Sequence, residues 1–310
     1  MTERGVIVVG GEALIDLVPH APAQLRAHPG GGAYNTARTL GRLEQDVHYL
    51  GCLSDDAFGA ILRTQLLEDD VRLDTIVDTT LPTTLALAEL DEAGAATYRF
   101  YTEGTSAPAL TPEAALAALP DDVAMLHVGT LALVMEPVAV ALEAVVEAVA
   151  DSALIMVDPN CRPSFITDPD SYRRGLAATL RYAHVVKVSV EDLEFLQPDA
   201  EPVAAARALL AEGPQVALVT LGGAGALIVT ADREEPVAAP KVTVVDTIGA
   251  GDAFGGGFLA AWRINGRDRD ALADADAVRG ATRFACVVAA RTCERAGASP
   301  PRLSDLDGEL

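Results

Sequence analysis

Short runs of β-branched residues alternate with longer segments of helical periodicity along most of the chain, and this alternation constrains the fold more than any other feature. The predicted strands cover residues 6–9, 47–52, 125–128, 154–157, 185–188 and 216–221. The predicted helices cover residues 34–43, 58–68, 137–150, 172–182 and 203–211. This pattern is typical of an α/β fold with a central, mostly parallel sheet flanked by helices, in which ligands bind beyond the carboxyl ends of the strands.

One segment departs from the alternation and predicts an antiparallel hairpin. Its arms are Leu85–Leu90 and Ala96–Tyr101, and the letters DEAG at 91–94 form a turn pattern between them. The second arm is aromatic, although aromatic residues make up only 5% of the chain. The pattern alone leaves open a lid over a binding site or an edge hairpin packed on the core. No linker or repeat interrupts the chain, so we expect residues 1–310 to form one domain with a small antiparallel β lid including about residues 82–104.

The charge balance argues against nucleic acid and anionic membranes as partners. The chain has 23 basic and 45 acidic side chains, so its net charge is −22, and such a surface repels polyanions. No apolar run reaches membrane-spanning length, and the amino-terminal segment lacks the pattern of a signal peptide. None of the four cysteines belongs to a Cys-x-x-Cys motif, and no histidine lies near a cysteine pair at the spacing of a zinc site. We therefore expect free thiols in a cytoplasmic protein whose acidity serves solubility.

Two common nucleotide motifs are absent from the sequence. Lys187 and Lys241 are the only lysines and neither follows a glycine, so there is no Walker A loop. The glycines after the first strand do not match a dinucleotide fingerprint, because Glu12 and Ile15 occupy positions that require glycine. Ser106 stands in a near match to a nucleophile elbow, but the segment follows a hairpin and ends in proline. We interpret Ser106 as a loop serine.

The most informative local pattern is VVDTIGAGDAFGGGF at residues 244–258. An apolar run ends in a polar pair, passes through Gly249, Ala250 and Gly251, and opens a helix whose exposed N–H groups would form an anion site. Asp252 follows in the first turn, where its carboxylate could take a proton from a hydroxyl; phosphoryl transfer needs little besides such a base, alignment and charge stabilisation. The alternative makes Asp252 a helix N-cap and the glycines packing devices. We favour the functional interpretation because capping does not account for glycines on both sides of Asp252.

Two motifs taken together resemble those of the ribokinase-like (PfkB) carbohydrate kinases. DTIGAGDAF at 246–254 is similar to the carboxyl-terminal motif of that family. GGGAYNTA at 30–37, followed by Gly41, Gly51 and Gly59, is similar to its amino-terminal motif. The resemblance covers nearly the whole chain and is closest to bacterial fructokinases. It implies a ribokinase-like fold and transfer of the γ-phosphate of ATP, with Mg²⁺, to a hydroxyl of a small sugar.

The resemblance also implies roles for individual residues. Asp252 corresponds to the catalytic base of the family, and the backbone of residues 249–251 corresponds to its anion hole. The positions corresponding to sugar contacts are Asp16, Gly31, Gly32, Asn35, Phe100, Asn160 and Arg162. Carboxylate and amide oxygens accept hydrogen bonds from sugar hydroxyls, and glycines let a ligand approach the backbone. Without the resemblance, Asp16 would as readily be a surface residue and Asn35 a helix N-cap.

The resemblance assigns the ATP side of the site as well. The corresponding positions are Lys187, Ser189, Thr220, Gly222, Gly225 and Cys286. Ser189 and Cys286 depart from the family pattern, since each replaces an asparagine, although Ser189 opens a segment that keeps the acidity associated with Mg²⁺. Asp246 and Ile248, with residues 291–298, correspond to the place where relatives hold a monovalent cation such as K⁺ through carbonyl oxygens.

The resemblance leaves the choice of sugar open. GEALIDLVP at 11–19 and the predicted lid favour fructose, and Gly32 stands where ribokinases carry lysine. The alternative is 2-dehydro-3-deoxygluconate, whose carboxylate would need a cation such as Arg99 or Arg162. A ribokinase, a nucleoside kinase or a non-catalytic sugar- or nucleotide-binding regulator is disfavoured, in the last case because both base and anion hole are present. Relatives often pair the lid between subunits, so the resemblance also implies a homodimer.

Overall fold

The computed structural model describes residues 5–21, 24–90, 96–306 and 308. The strands are β1 (Val6–Gly10), β2 (Leu14–Ala21), β3 (Gln24–Gly30), β4 (Val47–Leu50), β5 (Cys52–Ser54), β6 (Val77–Thr79), β7 (Leu85–Leu90), β8 (Ala96–Tyr101), β9 (Val123–Gly129), β10 (Leu154–Asp158), β11 (Val185–Ser189), β12 (Val216–Thr220), β13 (Ala226–Val229) and β14 (Glu234–Val237). The helices are α1 (Gly32–Arg42), α2 (Ala57–Glu68), α3 (Pro112–Ala118), α4 (Val138–Val149), α5 (Pro169–Leu180), α6 (Val190–Leu196), α7 (Pro202–Leu210), α8 (Ala250–Ile264) and α9 (Ala275–Cys293). The turn expected at residues 91–94 and the amino-terminal tetrapeptide lie outside the described residues.

The central sheet has eight strands in the order β14-β13-β12-β11-β10-β9-β1-β4. The six strands from β12 to β4 are parallel to their neighbours, whereas β13 and β14 are antiparallel. This arrangement confirms the predicted α/β class and the mostly parallel sheet. It also brings the carboxyl ends of β9 to β12 to one edge, where ligand sites of such sheets lie.

Helices cover both faces of this sheet. Along β1, Val6 and Val8 join the core beneath helices α3 to α7, whereas Ile7 and Val9 join the core beneath α1, α2, α8 and α9. Because successive side chains of a strand point to opposite faces, a strand between two helical layers must be apolar throughout. This explains why the predicted strands read as continuous apolar runs.

A second, four-stranded sheet in the order β3-β2-β7-β8 contains the hairpin predicted as a lid or a core edge, and we call this sheet the lid. The β7–β8 hairpin has the predicted bounds, with Leu85 paired to Tyr101. The β2–β3 hairpin, which the sequence analysis did not predict, joins it through a parallel pairing of β2 with β7. The lid is thus two antiparallel hairpins held side by side. More than half of its strand residues, those of β2 and β3, lie outside the predicted bounds of about 82–104.

The strand predicted at residues 47–52 is two strands in the structure, so that prediction was wrong in its bounds. β4 ends at Leu50, and β5 leaves to pair with β6 in a separate two-stranded sheet. A β-carbon at Gly51, between them, would lie 2.6 Å from the carbonyl oxygen of Gly11. The break therefore occurs where the chain passes very close to the turn after β1, which only glycine allows.

Candidate active site

A cavity of about 580 Å³ lies between the lid and the carboxyl ends of the central strands. Of the residues proposed from the sequence, it is lined by Asp16, Gly31, Gly32, Asn35, Phe100, Asn160, Arg162, Lys187, Ser189, Thr220, Gly222, Ile248, Gly249, Gly251 and Asp252. These residues come from the lid, from the start of α1, from the carboxyl ends of β11 and β12, from the loops after β10 and β12, and from the segment that leads into α8 and the start of that helix. The structure thus brings together positions spread over more than two hundred residues of sequence.

Asp252 is buried in the first turn of α8 and faces α1. Its Oδ2 accepts a hydrogen bond from Nδ2 of Asn35 at 2.9 Å, and its carbonyl oxygen accepts one from the Thr36 hydroxyl at 3.3 Å. The N-cap of α8 is Gly249, and no side chain caps the helix. The capping alternative is therefore wrong for Asp252, whose carboxylate is held by a neighbouring helix and directed at the cavity.

Burial, a hydrogen bond and nearby charges together determine the protonation of Asp252. Burial raises the pKa of Asp252 to about 6; the hydrogen bond from Asn35 and the positive charges of Lys187 and Arg162 oppose this rise, and Glu12 adds to it. The carboxylate is therefore mostly ionised at pH 7 while remaining a stronger base than an exposed aspartate. It can accept a proton from a hydroxyl placed in the cavity.

The start of α8 supplies the expected hydrogen-bond donors. Gly249 adopts φ +76°, a left-handed conformation that favours glycine, and the Ala250 N–H donates to the Thr247 carbonyl at 3.2 Å. Amide groups in the first turn have no acceptor within their own helix, so those of Gly251 and Asp252 remain available for an anion. The Ala250 amide, which the sequence analysis included in the anion hole, is already engaged.

The glycines after Asp252 serve helix packing. A β-carbon at Gly256 would lie 2.8 Å from Thr39 on α1, and one at Gly257 would lie 3.1 Å from the Cα of Ala285 on α9. α8 can approach both neighbours closely only because these side chains are missing. This part of the glycine pattern fits the packing alternative, whereas Gly249 and Gly251 line the cavity.

Lys187 and Asp158 form an ion pair beneath the start of α8. Lys187 Nζ lies 2.9 Å from Asp158 Oδ2, and the two side chains are only 4% and 1% exposed. Burial raises the pKa of Asp158 to about 6 against the effect of the ammonium group. Burial lowers the pKa of Lys187, but Asp158 and Asp192 raise it overall, so the pair is ionic at neutral pH. A β-carbon at Gly251 would lie 3.0 Å from Lys187 Nζ, which places this cation against the free amides.

The side of the cavity that the lid forms is acidic and aromatic. Asp16 lies on β2, and burial, followed by the charges of Asp252 and Glu12, raises its pKa to about 7. A β-carbon at Gly30, on the neighbouring strand, would lie 2.1 Å from Asp16 Oδ2, so glycine there leaves room for this carboxylate. Phe100 of the lid packs edge-to-face on Phe165 with ring centroids 5.3 Å apart. A ligand here could therefore place hydroxyl groups against Asp16 and an apolar face against the ring of Phe100.

The loop after β10 carries the remaining predicted contacts. Asn160 adopts φ +39°, and the exposed Arg162 donates to the carbonyl oxygens of Asn160 and Cys161 at 3.2 and 3.1 Å. Ser189 caps α6 in a reciprocal pair with Asp192, which leaves Glu191 exposed beside the cavity. Glu191 is thus a carboxylate that could share Mg²⁺ with nucleotide phosphates, whereas Asp192 is occupied by backbone groups.

Four proposed residues do not line the cavity. Cys286 is 3% exposed and lies in the core on α9, so the structure does not bring its side chain to the cavity. Gly225, at φ +108°, forms the tight turn before β13. Asp246 accepts from the amides of Ile248 and Gly297 at 3.0 and 2.8 Å, so its side chain ties two loops together. Ala250 is the fourth, and its amide is engaged as described above.

Two buried polar residues of this region were missed as site residues by the sequence analysis. Glu12 is 1% exposed and lines the cavity, and Asp158 is 1% exposed beneath it. Each is a charged residue at the carboxyl end of a wholly apolar strand, which is the one signal in the sequence that could have identified it. Thr130 also lines the cavity and is held at φ +65°, which no sequence pattern indicated.

Comparison with known proteins gives a consistent result. Residues 6–305 match the sequence model of the pfkB family of carbohydrate kinases. A fructokinase of Rhizobium leguminosarum bv. trifolii is 36% identical over 84% of this chain and 80% of its own, and one of Klebsiella pneumoniae is 33% identical over 85% and 86%. The crystal structure of a fructokinase from Xylella fastidiosa with bound ATP has a TM-score of 0.90 at 29% identity, covering 99% of this chain and 98% of that one.

Proposed function

The chain belongs to the pfkB family of carbohydrate kinases, and from this premise we propose that it transfers the γ-phosphoryl group of ATP to a hydroxyl of fructose. The observation that carries the proposal is the position of Asp252. A buried, ionisable carboxylate lies at a helix start with free amides, 2.9 Å from an asparagine that orients it. Asp252 and its surroundings thus provide the base, the alignment and the positive charge that phosphoryl transfer requires, all within one cavity.

In the proposed reaction Asp252 takes the proton of the accepting hydroxyl as its oxygen forms a bond to the γ-phosphorus. The bond from that phosphorus to the β,γ-bridging oxygen breaks, and ADP leaves with the electron pair. The amides of Gly251 and Asp252, together with the ammonium of Lys187, face the negative charge of the transferred group. Asp158 keeps Lys187 in place through the buried ion pair. Mg²⁺, when bound with ATP, would add charge neutralisation at the phosphates, and Glu191 is the carboxylate available to share it.

A neutral sugar fits the acidic end of the cavity better than a sugar acid. Asp16, Glu12 and Asp252 bring three carboxyl groups together there; beyond the effect of burial, charge on Glu12 raises the pKa of the other two, and charge on Asp252 raises that of Asp16. Ionised carboxylates accept hydrogen bonds from hydroxyl groups but repel a substrate carboxylate. Fructose is also the substrate named by the curated relatives. One feature favours 2-dehydro-3-deoxygluconate as the second candidate: Arg162 is exposed and lines the cavity.

A coupled assay of ADP release separates these candidates. Fructose, ribose, 2-dehydro-3-deoxygluconate and adenosine are compared at equal concentrations with the wild-type protein. We expect the highest kcat/KM for fructose, and Asp16→Ala should reduce the preference for fructose over ribose while ATP affinity is kept. A higher kcat/KM for the sugar acid, lost selectively in Arg162→Ala, would reject fructose but leave the kinase intact. No ADP release with any sugar would reject the kinase proposal.

We also propose a cytoplasmic homodimer that forms through the lid. The edge strands β3 and β8 carry Leu25 and Tyr101, which are 53% and 49% exposed. Edge strands with exposed apolar side chains are sites where a second chain can pair. Sedimentation velocity of the wild-type protein should give a dimer, and Leu25→Asp should shift it to monomer. A monomeric wild-type protein at micromolar concentration would contradict the proposal.

A further inference from the structure

Glu12 joins three segments of the chain at the edge of the cavity. Its carboxylate accepts hydrogen bonds from the Gly32 N–H at 2.7 Å, from the Ala132 N–H at 3.1 Å and from the Thr130 hydroxyl. Both carboxylate oxygens are therefore used, and the side chain is only 1% exposed. A carboxylate that accepts from two amides and a hydroxyl is held in one orientation. The segments it joins are the link after β1, the start of α1 and the turn after β9.

The packing around this carboxylate is close. A β-carbon at Gly32 would lie 2.2 Å from Cγ2 of Thr130, and one at Gly11 would lie 2.5 Å from the β-carbon of Ala33. Thr130 adopts φ +65°, a conformation that β-branched residues rarely adopt. Such a conformation persists only where the surroundings hold it, and here the Thr130 hydroxyl donates to Glu12. The start of α1 is thus tied to the turn after β9 through Glu12.

The same turn of α1 carries the residue that holds the proposed base. The Asn35 amide N–H donates to the Gly31 carbonyl at 2.9 Å, and the Asn35 side chain donates to Asp252 at 2.9 Å. We propose that Glu12 is a positioning residue of the active site: by fixing the first turn of α1, it sets where Asn35 holds Asp252. This inference rests on the proposed function, in which Asp252 is the base.

Burial raises the pKa of Glu12 itself, and the hydrogen bonds from Thr130, Gly32 and Ala132 oppose this rise. In its ionised form, Glu12 gives this role a signature that a merely structural residue lacks. Glu12 raises the pKa of both Asp252 and Asp16. The other charged groups that affect the pKa of Asp252, or whose own pKa it affects, are Lys187 on β11, Asp158 on β10, Arg162 in the loop after β10 and Asp16 on β2. Removing the charge of Glu12 while keeping its size should therefore lower the pKa of Asp252.

The test uses Glu12→Gln, Glu12→Asp and the control Glu113→Gln, which alters an exposed carboxylate in the first turn of α3. In Glu12→Gln, the backbone N–H of either Gly32 or Ala132 must face the side-chain NH₂ group instead of an oxygen, so the first turn of α1 should shift. A displacement near 1 Å lowers kcat/KM by about 10²-fold. We expect such a loss for fructose with the KM for ATP unchanged, together with a shift of the acid limb of the pH profile to lower pH.

Glu12→Asp keeps the charge but cannot reach all three donors. It should lose activity while its acid limb stays close to that of the wild type, which separates charge from position. Glu113→Gln should match the wild type in both respects. If Glu12→Gln does not fold, Thr130→Ala is measured instead, with Thr130→Ser as the variant that restores the hydroxyl and the activity.

A measurement without substrate separates this inference from the proposed function. The pKa of Asp252 is followed by carboxyl ¹³C NMR, with its signal assigned by its loss in Asp252→Asn. It should fall in Glu12→Gln and stay unchanged in Glu113→Gln. An unchanged pKa of Asp252 together with unchanged kcat would overturn the role of Glu12 even in an active kinase. A wild-type protein inactive on every sugar would reject the proposed function, while this titration would still decide whether Glu12 acts on Asp252.

Discussion

At the scale of single residues, Asp252 is useful as a base because burial raises its pKa while its neighbours limit that rise. Burial would by itself keep the carboxyl protonated, whereas Asn35, Lys187 and Arg162 favour the charged form, which leaves the pKa at about 6. A base is most effective when its pKa lies near the working pH. Removing any one of these neighbours should therefore change the pH range of the enzyme as well as its rate.

The first prediction concerns the carboxylate itself. Asp252→Asn keeps an oxygen that can accept from Asn35 but cannot take a proton, so kcat should fall by at least ~10²-fold, the usual contribution of a positioned base. ATP affinity, measured by calorimetry, should stay close to that of the wild type. Asp170→Asn, an exposed first-turn carboxylate of α5, is the matched control. Retention of wild-type kcat in Asp252→Asn would remove Asp252 from the mechanism.

The second prediction concerns the acid limb of the pH profile. The pKa is raised to about 7 for Asp16 and to about 6 for Asp252, and both groups must be ionised, one to accept sugar hydrogen bonds and one to take the proton. The value of kcat/KM should therefore be constant above pH 8 and fall as pH decreases through 7 and 6, approaching a slope of two in the logarithmic plot. Because the two carboxylates interact, the measured values belong to the pair.

Asp16→Asn gives the control for this titration. With one group removed, the limb should keep a single titration near pH 6 and a slope of one. A profile that stays flat down to pH 5 in the wild-type protein would show that neither carboxylate titrates in the range derived from their burial.

What the sequence could predict at this scale depended on how local the pattern was. Asp252 stands within a continuous glycine-rich pattern, so its position at a helix start could be predicted. Glu12 could not, because its partner Thr130 lies 118 positions away, and Asp158 is paired to Lys187 across 29 positions. Cys286 shows the limit of similarity: similarity assigned it to the nucleotide side, whereas the structure places it in the core on α9.

At the scale of elements, burial decided which strands could be predicted. The buried strands of the central sheet are continuous apolar runs, and the run at 154–157 became β10 with one residue added. β3 has the sequence QLRAHPG, and five of its seven residues are exposed, so neither an apolar run nor an alternation marks it. Its pairing with β2 comes from the assembled lid, which no local pattern predicts.

The third prediction concerns the contact between the lid and the loop after β10. Phe100 of β8 packs on Phe165, three residues after Arg162, with ring centroids 5.3 Å apart. An edge-to-face pair of this kind contributes about 0.5–1.5 kcal/mol beyond its buried area. Phe165→Ala should therefore favour an open lid, raise the KM for sugar, and increase ATP hydrolysis relative to sugar phosphorylation, because water reaches the phosphoryl group.

The ratio of ADP released to sugar phosphate formed measures this coupling directly. Phe165→Leu, which keeps most of the apolar contact, should lie between the wild type and Phe165→Ala. Deletion of the hairpin Leu85–Tyr101 should have the largest effect. A KM and a coupling ratio that are unchanged in all three variants would show that the hairpin is an edge of the core and not a lid.

At the scale of the whole molecule, the dominant feature is the excess of acidic residues. A net charge of −22 creates repulsion within the folded chain, and the cavity adds several carboxylates whose pKa burial raises. Such repulsion destabilises the compact state and is reduced by salt. The described part of the chain contains no helix long and apolar enough to cross a bilayer. Repulsion between the acidic residues should lower the folding stability of the protein and make that stability depend on the salt concentration.

The last prediction is that salt stabilises this protein in a way that depends on pH. The Debye length falls from about 30 Å at 0.01 M to about 8 Å at 0.15 M ionic strength, so repulsion between separated carboxylates should largely disappear over that range. Tm at pH 7.5 should therefore rise with NaCl, and equally with tetramethylammonium chloride, because screening depends on ionic strength alone. Near pH 4.4, where the net charge approaches zero, the same additions should change Tm much less.

KCl provides the discriminating comparison, since a K⁺ bound by the carbonyls of Asp246 and Ile248 would raise Tm further as K⁺ concentration exceeds its Kd. Equal curves for the three salts would argue against that cation site, whereas a Tm that rises only with K⁺ would contradict general screening.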